Sequence, residues 1–136
     1  MTRIDPERSY GKFGVRAFAA NSAYPVENAL VIVRSKKSDG TPVTVAVLET
    51  DESGKTQVIT LETPPKSLSL SPGSDIPPYS LYDVEITHPG FYSIITRDVQ
   101  IYPDTTSILP INMLPLPDTG MRNNIIINEG FIAPDL

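Results

Sequence analysis

Apolar and polar residues alternate along most of this chain with a period of two, the mark of strands that bury one face. The cleanest stretch is Ser80 to His88, where Tyr82, Val84 and Ile86 fall on one side and Asp83, Glu85 and Thr87 on the other. Phe13 to Ala20 alternates too, with Phe13, Val15, Ala17 and Ala19 opposite Arg16 and Phe18. Ala29 to Arg34 is apolar on both faces and β-branched, which predicts a central strand. Val43 to Thr50, Gln57 to Leu61, Phe91 to Tyr102 and Ser107 to Leu116 complete about seven strands, spaced as in a β-sandwich. The third of these is expected to break at Arg97-Asp98, and Pro110 predicts an edge position or a bulge in the last. No segment carries a sustained helical period.

The turns fall where the alternation stops. Asp39-Gly40 is a short hairpin signal, and Asp51 to Lys55 makes the next turn, with Gly54 expected at positive φ. Thr63 to Pro78 is a Pro/Ser-rich excursion that cannot join a regular ladder. The stretch Thr50 to Tyr82, turn, strand, excursion and strand, thus organises the chain. The expected layout is an N-terminal arm over 1–12, one sandwich domain over 13–117 and a tail over 118–136. The tail holds Ile125-Ile126-Ile127 and Phe131-Ile132, a β-prone run expected to add to an edge strand, preferentially that of a neighbouring subunit.

Composition narrows the function classes. A length of 136 residues suits one domain, and 14 prolines punctuate short runs as turns do. Net charge is −5, against a phosphate-binding surface, so no nucleic-acid partner is expected. No apolar run approaches the ~18 residues of a membrane span, and the first ten residues lack a secretory apolar region. With no cysteine there is no disulfide and no thiolate metal site.

Candidate chemistry is sparse. The single histidine, His88, precedes Pro-Gly and reads as a solvated turn residue. Asp39, Asp51 and Glu52 lack the spacing of a calcium loop. The carboxylate pairs Asp83/Glu85 and Glu49/Asp51 each lie on one face of a strand, where outward charge keeps a sheet soluble. Neither a catalytic residue nor a metal or cofactor is expected. Of the six tyrosines, Tyr24, Tyr79 and Tyr102 are the candidate ligand platform, while Tyr82 and Tyr92 take core-facing or cross-strand positions.

Three stretches carry a family resemblance. Pro25 to Val33 (PVENALVIV), Thr50 to Thr56 (TDESGKT) and Tyr79 to Tyr92 (YSLYDVEITHPGFY) resemble a transthyretin-like or carboxypeptidase-regulatory-like β-sandwich. More narrowly, TPPKSLSLSPGSDIPPYSLYDV and the ending PINMLPLP are similar to the N-terminal module of clostridial spore cortex-lytic enzymes, over about Phe13 to Pro117. The resemblance implies an all-β, single antiparallel seven-stranded sandwich of the prealbumin kind. It leaves the module's role open between prodomain, targeting and assembly; the expectation taken from it is a non-catalytic assembly or adhesion module of a spore, cell envelope or multi-subunit particle, with the location left open between a spore or cell surface and an assembled extracellular particle. Such a module would form homo-oligomers or filaments through its arms, and the alternative is a peptidoglycan- or carbohydrate-binding module. The cell-wall-cleaving domain of those enzymes has no counterpart here, so no lytic activity is carried over.

Overall fold

The computed structural model describes residues 9–20, 23–65 and 78–117, with the backbone of 125–129. Among the described residues nine strands form two sheets. They are β1 (Ser9–Ala19), β2 (Tyr24–Pro25), β3 (Leu30–Lys36), β4 (Pro42–Glu49), β5 (Ile59–Thr63), β6 (Ser80–Thr87), β7 (Ser93–Ile101), β8 (Thr106–Asn112) and β9 (Ile125–Glu129). The seven expected strands are present, joined by the two-residue β2 and by β9 from the tail. β1 begins at Ser9, inside the stretch expected to be an arm.

One sheet has the order β2-β1-β5, with β8 on the other side of β1; the second runs β4-β3-β6-β7-β9. Most neighbours are antiparallel, but β8 pairs with β1 and β9 with β7 in parallel. Pro110 sits on β8, which among the described strands pairs only with β1, so its missing N–H costs no described ladder bond. The expected break in β7 is a bulge: Tyr82 faces Val99 and Val84 faces Thr96, leaving Arg97 and Asp98 opposite Asp83. Asp98 takes φ 58° there and donates its backbone N–H to the Asp83 carboxylate at 3.1 Å.

The core lies between the sheets and follows the alternation. Phe13, Val15 and Ala17 of β1 and Leu109 and Ile111 of β8 meet Val31 and Val33 of β3, Val84 and Ile86 of β6, and Ile94, Val99 and Ile101 of β7, all buried. Burying a side chain of this size stabilises by roughly 1.5–3 kcal/mol each, before entropy is subtracted. Outward charges on the second sheet are paired: Arg34 donates to Glu85 at 2.8 Å across β3 and β6.

One end of the sandwich is closed by buried polar staples. The Thr50 hydroxyl accepts from Ala29 N–H at 2.9 Å and donates to the Val26 carbonyl at 2.6 Å. Thr56 likewise accepts from Val15 N–H at 2.9 Å. Between them Asp51 shapes the turn, its carboxylate accepting from Ser53 and Lys55 N–H at 2.8 and 3.0 Å. Gly54 takes φ 77°, as expected, and its carbonyl accepts from Ala17 N–H at 2.7 Å. A Cβ at Gly54 would collide with the Ala17 carbonyl oxygen, so two independent constraints require glycine.

Candidate functional site

The opposite end is open among the described residues. There the finish of β3, the edge of β4, the finish of β5, the start of β6 and the bulge of β7 frame a cleft of about 720 Å³. Among its described lining residues the charged side chains are Lys36, Glu62, Asp83 and Asp98, and the aromatic ones are Tyr79 and Tyr82. Each arrives for a local reason. Lys36 is the last residue of β3, outside the apolar run. Asp83 faces outward between inward Tyr82 and Val84, and the bulge turns Asp98 toward it. The Lys36 ammonium stands 3.6 Å from Asp83 and 3.8 Å from Asp98, beyond direct hydrogen bonding, so its donors remain available to a ligand oxygen.

Tyr82 forms the floor. Its ring is buried in the core, and its hydroxyl donates to the Glu62 carbonyl, tying β6 of one sheet to β5 of the other. Burial, reinforced by the Glu62 charge, pushes the phenol up to about 12. It is therefore neutral and a donor at physiological pH. Tyr79 packs on Tyr102 with ring centroids 5.4 Å apart at 57°. Tyr102 is fixed in turn by donating to the Gln100 side chain at 3.0 Å.

The three candidate platform tyrosines do not form one surface. Tyr79 and Tyr102 stack at the cleft, whereas Tyr24, 66% exposed, lies at the far end. There it edges a nearly apolar pocket of about 530 Å³ with Ala19, Phe91, Met113 and Leu114. His88 is at this far end too. It is half-buried rather than solvated, its ring set edge-on to Phe91 at 5.2 Å and its Nδ1 accepting from Gly90 N–H at 3.1 Å. Asp83 and Glu85 do not act as a pair, since each is engaged by a different cation. Ile125, Ile126 and Ile127 belong to β9, paired with β7 of the same chain, while Phe131 and Ile132 lie outside the described residues. Lys36, Glu62 and Asp98 escaped the sequence reading because they sit on three strands; the break at Arg97-Asp98 was the only local signal.

No family model and no curated protein matches the chain. Solved structures do match in fold. Catechol 1,2-dioxygenase from Acinetobacter sp. ADP1, inhibited by bound mercury, aligns over 90% of this chain and 59% of its own, with 12% identity and a TM-score of 0.53. Hydroxyquinol 1,2-dioxygenase from Pseudomonas putida DLL-E4 aligns over 79% of this chain and 57% of its own, with 12% identity and a TM-score of 0.54. Catechol 1,2-dioxygenase from Pseudomonas arvilla C-1 covers 88% and 57%, with 14% identity and a TM-score of 0.53. The chain thus spans under two thirds of the length of these enzymes, and what is shared is the β-sandwich.

These neighbours correct the sequence reading. The transthyretin-like and spore cortex-lytic resemblance is overturned by the likeness to catechol and hydroxyquinol dioxygenases. With it go the non-catalytic assembly or adhesion role, its peptidoglycan-binding alternative, the spore and cell-wall setting, and the reading that the chain is no enzyme. The resemblance rested on turn dipeptides and alternating strands, which unrelated sandwiches share.

Oxygen chemistry calls for haem, flavin, copper or non-haem iron. The described residues do not fit a protein-held metal of that kind. They contain no group of three or more His, Cys, Asp or Glu side chains able to hold a metal ion. The chain's one histidine is six residues beyond Tyr82, just past the end of β6, about 20 Å away at strand rise. No oxidative step is therefore derived from these residues.

Proposed function

We propose that this chain is the substrate-holding β-sandwich of a dioxygenase-type enzyme and that its open cleft receives a small hydroxylated aromatic. The observation that carries the proposal is the cleft itself, set in a fold that its neighbours use for catechol and hydroxyquinol. The cleft offers what a phenolic ring needs. Tyr79 presents an aromatic wall, with Tyr102 packed against it. Asp83 and Asp98 can accept from ring hydroxyls, and Lys36 can donate to a hydroxyl oxygen. The chain's own residues supply binding and orientation; the oxygen-activating group is assigned to none of them.

Calorimetric titration of the full chain with 4-methylcatechol tests this reading. Saturable one-to-one binding is expected. Tyr79→Ala should weaken it about fivefold, as loss of an aromatic contact worth ~1 kcal/mol implies. Absence of saturable binding, or binding indifferent to Tyr79→Ala, would contradict the assignment.

A further inference from the structure

The outer face of the second sheet is rich in apolar side chains. Val31, Val33, Val84 and Ile86 face the core, which turns their strand neighbours outward. The pairing register sets Val47, Ile32, Glu85 and Ile95 in one row across β4, β3, β6 and β7. Val47 is 58% exposed, and on the same face Leu30, Val45 and Leu81 are 39%, 44% and 46% exposed. Single exposed apolar residues are ordinary, but a contiguous apolar face on one sheet marks an interaction surface.

Charge, edge geometry and size together say what the face accepts. Its central ion pair is closed, with Arg34 on Glu85 at 2.8 Å and the two side chains 29% and 21% exposed. Such a pair is its own complement under a twofold rotation. Turned onto a second copy, Arg34 meets the partner's Glu85, and no like charges meet. Edge-to-edge pairing through β4 is disfavoured. Ala46 lies opposite Val33 and Thr44 opposite Arg34, so Val45 is an extra residue whose bulge interrupts the ladder a further strand would need. Face-to-face contact remains. Five strands of about seven residues, at ~4.8 Å spacing and ~3.3 Å rise, present roughly 550 Å². Two copies would bury about 1,100 Å², near the ~1,000 Å² that a specific interface needs.

We propose that the outer face of the second sheet joins two copies of this chain in a weak twofold dimer. Val45 and Leu81 belong both to this face and to the lining of the cleft, so the contact runs up to the cleft mouth. The inference goes beyond the aromatic-binding reading and does not rest on it.

Sedimentation equilibrium of the full chain from about 1 µM to about 1 mM tests the proposal. The mass should rise from monomer to a plateau at dimer, half-associated at roughly 100 µM. Val47→Glu puts a charge in the apolar row and should weaken association about tenfold or more. Val58→Glu is the control. Val58 is 45% exposed and packs beside Gly14 of the first sheet, so its replacement should leave the dimer unchanged. Glu85→Arg should abolish association by setting like charges across the axis. Adding Arg34→Glu restores an opposite pair and should restore the dimer, which misfolding of the single variant would not allow. A mass that stays monomeric throughout, or climbs past the dimer without a plateau, overturns the proposal. So do equal responses to Val47→Glu and Val58→Glu, or a double variant that stays monomeric. Titration with 4-methylcatechol decides the aromatic reading separately, since neither result requires the other.

Discussion

The two ends of this sandwich are built from the same strands on opposite principles. At the closed end, Thr50, Thr56 and Gly54 satisfy buried backbone groups, and little is left for a polar ligand to meet. At the open end, the Lys36 ammonium stands beyond hydrogen-bond distance of Asp83 and Asp98, and Tyr79 and Tyr82 line a cavity. A buried polar group without a partner costs about 1–3 kcal/mol, so the closed end contributes stability by leaving none among its staples. Long, exposed ion pairs contribute little to folding and leave donors and acceptors for something else. The contrast separates residues that hold the fold from residues proposed to face a ligand.

The sharpest way to break this contrast is at the closed end. Gly54→Val combines positive-φ strain with collision against the Ala17 carbonyl, and should destabilise by ~3 kcal/mol or more in a denaturant titration. Thr50→Val keeps the shape but orphans Ala29 N–H and the Val26 carbonyl. Its expected cost is about 2–4 kcal/mol by the same titration. A loss at either position no larger than that of an exposed substitution would erase the distinction between the ends.

Tyr82 belongs to both halves of the comparison, because it floors the cleft and ties the sheets. Its phenol ionises only near 12 in the folded chain, against about 10 when unfolded. The unfolded state therefore releases its proton first. The stabilisation is complete below pH ~10 and is lost as pH rises toward ~12. Stability followed by chemical denaturation should fall across that window, and Tyr82→Phe should flatten the fall. The smallest expected effect is Lys36→Met, which should change stability by no more than ~0.5 kcal/mol, since its ion pairs are long and exposed.

What could be read in the chain beforehand follows the same division. The seven long strands are local, since a period-two pattern in one segment says which face is buried, and β3 and β6 are core strands as the pattern implies. Gly54 at positive φ and the break at Arg97-Asp98 are local too. The parallel pairing of β1 with β8 is not, because Lys12 and Thr106 become neighbours only through sheet order. The cleft is the extreme case. Lys36, Glu62, Asp83 and Asp98 come from four strands, and none sits in a motif by itself. The likeness in fold was illegible for a different reason: at 12–14% identity, what is shared is a backbone path rather than a residue pattern.

The central claim, that one end binds and the other holds, is tested most directly by mapping backbone amide chemical shifts while 4-methylcatechol is titrated into the full chain. The account predicts saturable shifts concentrated at Lys36, Tyr79, Tyr82, Asp83 and Asp98, with Thr50, Gly54 and Thr56 unmoved. Shifts centred instead on Tyr24, Phe91 and Met113 at the far end, or no saturable shifts at all, would contradict it.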